Sequence, residues 1–317
     1  MSSTVVLIAK RLGAAALTVL LVSIVVFAIA AALPGDAAQE MLGQNATPSA
    51  IAALRSQLGL DQPAYLRYVH WLFGILSGNA GHSMSNNMAV SALVASRLPK
   101  SLILVGLTSA VSVPLALLLG TLSAMYRGSL LDRALNLVTL SLVAVPEFLV
   151  ASLAVLLFAV EMRWLPALVI VPENATVGEF LRAYAIPVMT LCFGGMAQMV
   201  RMTRAALISQ FDKPYVEMAV LKGVSNTRIV LYHIIPNAIG PIANAVAFSM
   251  SYLLGGVIIV ETIFNYPGLA SLMVDAVTAR DMPLLLACAM LFCVAYLFLV
   301  LLADICAIFA NPKLRAR

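Results

Sequence analysis

The chain has 317 residues, of which 62% are apolar and only 10% charged, against about half apolar and about a quarter charged in an ordinary globular domain. Its mean hydropathy is +1.01, and so few charges could not cover a water-facing surface, which excludes a soluble domain. The net charge of +5 comes from basic residues in the loops between apolar runs, so it needs no nucleic-acid partner to explain it.

In chain order, six stretches are free or nearly free of charge: Leu12–Leu33, Ser101–Tyr126, Ala134–Val160, Ala183–Val200, Ile234–Val260 and Met282–Ala303. Crossing a hydrocarbon core of about 30 Å takes about 20 helical residues. Five of the stretches exceed that. The fourth is shorter and is expected to continue past Arg201 as a helix whose charged end sits in water. No ten-residue stretch alternates apolar and polar residues, which excludes a transmembrane barrel.

The first run follows Lys10-Arg11 and holds Ala28-Ile29-Ala30, which resembles a signal peptide. It is longer than the roughly 7–15 apolar residues of such a segment, so an uncleaved span is expected. With the N-terminus cytoplasmic, twelve Lys and Arg fall on the cytoplasmic side and seven on the other. The positive-inside rule therefore predicts that both termini are cytoplasmic. The expected organisation is residues 1–33 as N-terminus and first span and 34–96 as an extracytoplasmic loop domain with Tyr65, Tyr68, Trp71 and Phe73 in helical stretches. Residues 97–307 form the main membrane domain and 308–317 a cytoplasmic tail. The sequons at Asn45 and Asn174 carry no weight in a bacterial-looking chain.

Within the spans, Pro114, Pro146, Pro187 and Pro241 are expected to kink helices around a cavity. Glu147, next to Pro146, is the one charge near the middle of a span. A carboxylate there is costly and is expected to face a cavity or a partner, which makes Glu147 and Pro146 candidates for lining a translocation cavity. Glu261 and Asp304 lie at span ends, where water is expected within reach. Gly255-Gly256 fits either close helix packing or a flexible point.

Several chemistries are missing. No GxxxxGK[ST], GxSxG or HExxH occurs, and His70, His82 and His233 are scattered. Cys192, Cys288, Cys293 and Cys306 lie in apolar stretches with no CxxC, so neither a disulfide framework nor a zinc site is expected. The chain is not expected to be an enzyme or to hold a catalytic residue, cofactor or metal of its own. A transporter, a channel or a structural membrane subunit remains.

The cytoplasmic loop 212–236 carries the clearest signal. Asp212 reads as an N-cap, Pro214 as a first-turn residue and Gly223 as a C′ residue, which predicts a short helix specified at both ends. Ser225 starts a second helix, expected over Asn226–Ile235 and ending at Pro236. Tyr215, Ala219 and Lys222 fall on one face, with Met218 and Leu221 beside them. Such a helix suits rigid docking into a groove of a partner or, alternatively, lying on the lipid surface.

Glu217-Met218-Ala219, Gly223 four residues on, and Ile235-Pro236 resemble the EAA-x3-G-x9-I-x-L-P loop of bacterial ABC importer permeases. Met218 replaces the central Ala, and His233 stands where the general pattern has Ile. That His followed by Pro236-Asn237 is similar to the dipeptide/oligopeptide/nickel branch. So are Leu58–Pro63 with Tyr68, Trp71 and Gly78, then Trp164–Ala167, Val260–Phe264 with Pro267–Leu269, Ala279–Pro283 and the tail Ala310–Arg315. Together they resemble the first of that branch's two permease subunits along nearly the whole chain.

The resemblance implies an all-α membrane protein of six transmembrane helices with the type I ABC importer permease fold and a cytoplasmic coupling helix. The implied partners are a homologous second permease, two cytoplasmic ATPases that use ATP and Mg, and an extracytoplasmic substrate-binding protein, in a bacterial inner membrane. It assigns Tyr215, Glu217, Met218, Ala219, Leu221, Lys222 and Gly223 to the loop that docks to an ATPase. Glu147 departs from a position that is usually small and polar in the family. Di- or oligopeptides are the expected cargo, with nickel chelates, glutathione, haem or opines as alternatives. A secondary transporter would show more spans and an inverted repeat, and a structural subunit gives no reason for a capped cytoplasmic helix.

Overall fold

The computed structural model describes residues 3–32, 39, 42, 47–57, 59, 61–172 and 174–310. Asn45, Leu58, Leu60 and the tail beyond Ala310 lie outside the described residues. The helices are α1 (Ser3–Ala32), α2 (Pro48–Gln57), α3 (Ala64–Leu76), α4 (Val90–Met125), α5 (Leu130–Ala144), α6 (Glu147–Ala154), α7 (Val177–Phe211), α8 (Pro214–Leu221), α9 (Asn226–Ile229), α10 (Ile235–Ile263), α11 (Leu269–Thr278) and α12 (Met282–Ala310). A π-helical turn, Val155–Glu161, extends α6, and another, Val230–Ile234, joins α9 to α10.

Five helical segments are long and apolar enough to cross a membrane, and the bent pair Leu130–Ala144 with Glu147–Glu161 makes a sixth if counted as one span. The expected third span is thus broken, by 98°, at Val145-Pro146. Proline has no N–H to bond back and restrains the residue before it to extended backbone, and Val145 is extended at φ −88°, ψ 125°. Pro187 and Pro241 instead lie inside helices that continue on both sides, and α4 runs on through Pro114. Of these four prolines only Pro146 sits at a break.

Two other boundaries differ from expectation. Helix α4 starts at Val90 rather than Ser101. The second loop helix does not stop at Pro236, because the π-helical turn leads into α10 and leaves Pro236 in its first turn, where a missing N–H costs nothing.

The chain divides into two compact units, one of residues 1–15, 103–266 and 296–317 and one of residues 16–102 and 267–295. In the first, α7 is the central helix and packs against α5, α6 and α10. Thr176 and Glu179 form a capping box at its start. Small residues allow close approach: a Cβ on Gly120 would come within 2.8 Å of Thr203 Cβ and 2.9 Å of Val200 O. Asp304 pairs with Arg11 at 3.0 Å. Glu261, expected within reach of water, is fully buried.

In the second unit, Phe27, Tyr68 and Trp71 pack ring on ring with centroids 5.4–6.0 Å apart, and the Ser23 and Tyr68 hydroxyls lie 2.8 Å apart. Val90, Leu269, Leu272, Leu284 and Cys288 build a second apolar cluster. Asp281 is completely buried beside it. Its carboxylate accepts from the Ser83 hydroxyl, from Ser85 N at 3.3 Å, from Ser85 Oγ at 3.2 Å and from Leu284 N at 3.3 Å. That side chain caps α12 and pins the 83–85 loop to it.

Candidate functional site

Helix α8 is the predicted short helix of the cytoplasmic loop, with one end differently built. Asp212 is the C-cap of α7, and Lys213 stands at the N-cap of α8 without a side-chain bond. Sequence alone could not separate these readings, because α7 runs past Arg201 to Phe211 and leaves no room for Asp212 to start the next helix. Pro214 opens α8 as expected. At the other end Gly223 has φ +73°. Gly223 N donates to Val220 O at 2.9 Å and Val224 N to Ala219 O at 3.1 Å, the paired bonds of a Schellman motif. Nothing lies within 4 Å of where a Gly223 Cβ would be, so the glycine answers to backbone conformation alone.

Two residues of α8 turn inward. Val216 and Ala219 are buried in a cluster with Ala124, Leu207, Ile229, Val230, Ile234 and Ala238. The face expected through Tyr215, Ala219 and Lys222 is therefore corrected: Ala219 faces the chain's own core. The outward residues are Tyr215, Glu217, Met218, Val220, Leu221 and Lys222, with Met218 54% and Leu221 75% exposed. The Tyr215 hydroxyl donates to Gln210 Oε1 at 3.1 Å, and its partial burial raises the phenol above its ordinary pKa.

The helices that carry this cluster are locked together by a group the sequence did not reveal. Asp132, in the first turn of α5, is bonded by Arg204 of α7 at 2.7 and 2.8 Å. It also accepts from Ser123 Oγ at 2.5 Å, Gly128 N at 2.9 Å and Asn136 Nδ2 at 2.8 Å. The forked guanidinium matches a carboxylate with two parallel bonds. Leu207 of the inward cluster lies three residues from Arg204 on α7, so the network and the seat of α8 share one helix.

Glu147 opens α6 just after the break, and it is only 9% exposed. Its carboxylate lies against two glycines. A Cβ on Gly256 of α10 would come to 2.6 Å of Oε2, and one on Gly194 of α7 to 2.8 Å of Oε1. Gly256 therefore makes room for the carboxylate, while Gly255 meets nothing. Tyr252 is its polar neighbour, yet Oε1 has no hydrogen-bond donor. Pro146 is exposed beside it.

Residues 116–316 match the family of binding-protein-dependent transport system inner membrane components, and residues 4–105 match the N-terminal domain of such components. The chain belongs to this family of membrane-spanning transport permeases. It is 32% identical over 310 residues to a probable peptide ABC transporter permease of Sinorhizobium fredii, covering 98% of this chain and 99% of the relative. It is 34% identical to a putative peptide transport system permease of Brucella abortus, over 98% of both chains. It is also 34% identical to the glutathione transport system permease GsiC of Escherichia coli, over 96% of this chain and 97% of that one. The resemblance to ABC importer permeases of the dipeptide/oligopeptide/nickel branch is thereby borne out.

Proposed function

We propose that this chain is one permease half of an ATP-driven importer of small peptides, with both termini in the cytoplasm, and that α8 is its docking helix for a cytoplasmic ATPase. The observation that carries this reading is α8 itself. It is a two-turn helix held by two inward residues and a Schellman turn, and it presents Met218 and Leu221 outward. A helix so fixed has little ordering entropy left to lose when a groove closes on it. The partners are a second permease, two ATPases that bind ATP with Mg, and a substrate-binding protein. ATP binding moves the docking helices, the cavity between the permeases turns outward to take cargo, and hydrolysis resets it.

Peptide cargo is supported by the names of the Sinorhizobium and Brucella relatives. A second reading, glutathione, is supported by GsiC at similar identity. Within the chain, Glu147 and Pro146 are assigned to the pathway, where a cationic group of the cargo would give Oε1 the donor it lacks.

The experiment is uptake of labelled dipeptides and of glutathione by cells expressing the complete transporter, with copurification of the ATPases measured alongside. Leu221→Asp is expected to lose ATPase and uptake together while the chain still enters the membrane. Retention of the ATPase by this variant, or ATP hydrolysis by the purified chain alone, would refute the assignment. Glu147→Gln is expected to reduce uptake of a cationic dipeptide more than that of a neutral one. Equal loss of both would assign Glu147 to assembly instead.

A further inference from the structure

We propose that the unit formed by residues 16–102 and 267–295 holds one anionic phospholipid, its phosphate in a pocket on α3 and an acyl chain in an adjoining groove. The pocket encloses about 370 Å³ and is lined by Gln62, Arg67, His70 and Trp71 together with apolar residues, including Phe27 and Met282. Arg67 and His70 have no carboxylate partner among the described residues, and the indole N–H of Trp71 is buried without an acceptor. Among the described residues no Asp or Glu lines the pocket. Asp281, next to Met282, already accepts from Ser83, Ser85 and Leu284. Three donors around an opening that lacks a carboxylate call for an anion, and burying an unpaired N–H is unfavourable until an acceptor arrives.

The second cavity says which anion. A groove of about 340 Å³ shares Trp71 with the pocket and is otherwise almost wholly apolar, lined by Val19, Ile75, Val94, Leu291 and Val294 among others. Phe27 and Met282 pack in one cluster near the Ala32 end of α1 and the start of α12. Val19 lies eight residues back along α1, roughly 12 Å deeper at 1.5 Å per residue. Val294 lies twelve residues beyond Met282 along α12, about 18 Å by the same rise. The donors thus sit at the ends of two membrane helices, at headgroup depth, where Trp side chains gather on either face of a bilayer. The apolar groove runs from there toward the hydrocarbon. A free anion has no use for the groove, and an acidic side chain of a protein would not fill it. A headgroup carrying its own ammonium would lack a carboxylate to meet it, so phosphatidylglycerol fits better than phosphatidylethanolamine.

Native mass spectrometry of the full chain, released from membranes holding both lipids in equal amount, tests this. Wild type is expected to retain phosphatidylglycerol about fivefold or more over phosphatidylethanolamine. The double variant Arg67→Gln/His70→Gln is expected to lose that preference, and Arg67→Lys, which keeps the charge, to preserve it. In a Trp164→Phe background Trp71 is the single tryptophan, and phosphatidylglycerol brominated on its acyl chain is expected to quench its fluorescence. Equal retention of the two lipids by wild type, an unchanged preference in the double variant, or binding of inorganic phosphate without lipid would each overturn the proposal. So would loss of substrate-binding-protein affinity in the double variant with lipid retention intact, since the pocket would then serve a protein carboxylate.

Discussion

Two short connections between helices, the Asp281 turn and the α8 loop, solve opposite problems. At Asp281 every donor around a buried carboxylate comes from the chain itself: two serines and the backbone of Ser85 and Leu284. At α8 the chain supplies only the two anchors Val216 and Ala219 and a glycine turn, and it leaves large apolar side chains in the open. The first arrangement is complete as it stands. The second is complete in its backbone and open in its surface, and under the function proposed above that difference separates scaffold from docking site.

Variants can break or sharpen the contrast. The largest expected effect is at a second internally satisfied carboxylate, Asp132. Arg204→Ala strips it of a two-bond partner while Ser123, Gly128 and Asn136 still hold it in place. Removing one member of a buried pair costs about 3 kcal/mol or more, so membrane abundance and the melting temperature of the detergent-solubilised chain should both drop. Asp281→Ala comes next, at about 2 kcal/mol, because it orphans buried donors. The same two measurements should show it, together with greater proteolysis of the 83–85 loop.

Gly223→Val should cost about 1 kcal/mol or more, because a β-branched residue must adopt φ > 0. Its signature is uptake lost out of proportion to abundance, and Gly223→Asn should recover part of it. Leu221→Asp is the smallest in stability, within about 0.5 kcal/mol as for an ordinary surface change, and its melting temperature should match wild type even as ATPase copurification falls. A large destabilisation by Leu221→Asp would mean that the open face of α8 belongs to the fold, and the contrast with Asp281 would collapse.

Much of this was legible in the sequence. Charge-free runs marked the membrane helices because bilayer thickness fixes their length. Pro214 and Gly223 marked the ends of α8 because each has a backbone preference independent of context. What was hidden depends on residues far apart in sequence. Arg204 looked like a charge in water, and its partner Asp132 lies 72 positions away. Ala219 fits either face of α8 by spacing, and only the packing of Leu207 and Val230 decides for the inside. Pro114, Pro146, Pro187 and Pro241 look alike in sequence, yet only Pro146 falls where the helix breaks. The π-helical turn that carries the chain through Pro236 has no local signature that these residues display.

The break at Val145-Pro146 also bears on how the chain is made. Helix α5 has 15 residues, roughly 22 Å at 1.5 Å per residue, which is short of a hydrocarbon core of about 30 Å. A nascent chain ending at Ala144 offers the insertion machinery a segment too short to cross alone. Its Asp132 would also lack Arg204, which is synthesised 72 residues later. Crossing therefore needs α6 and its π-helical turn as well, which follow the break, and the Asp132–Arg204 pair closes only once α7 has been made.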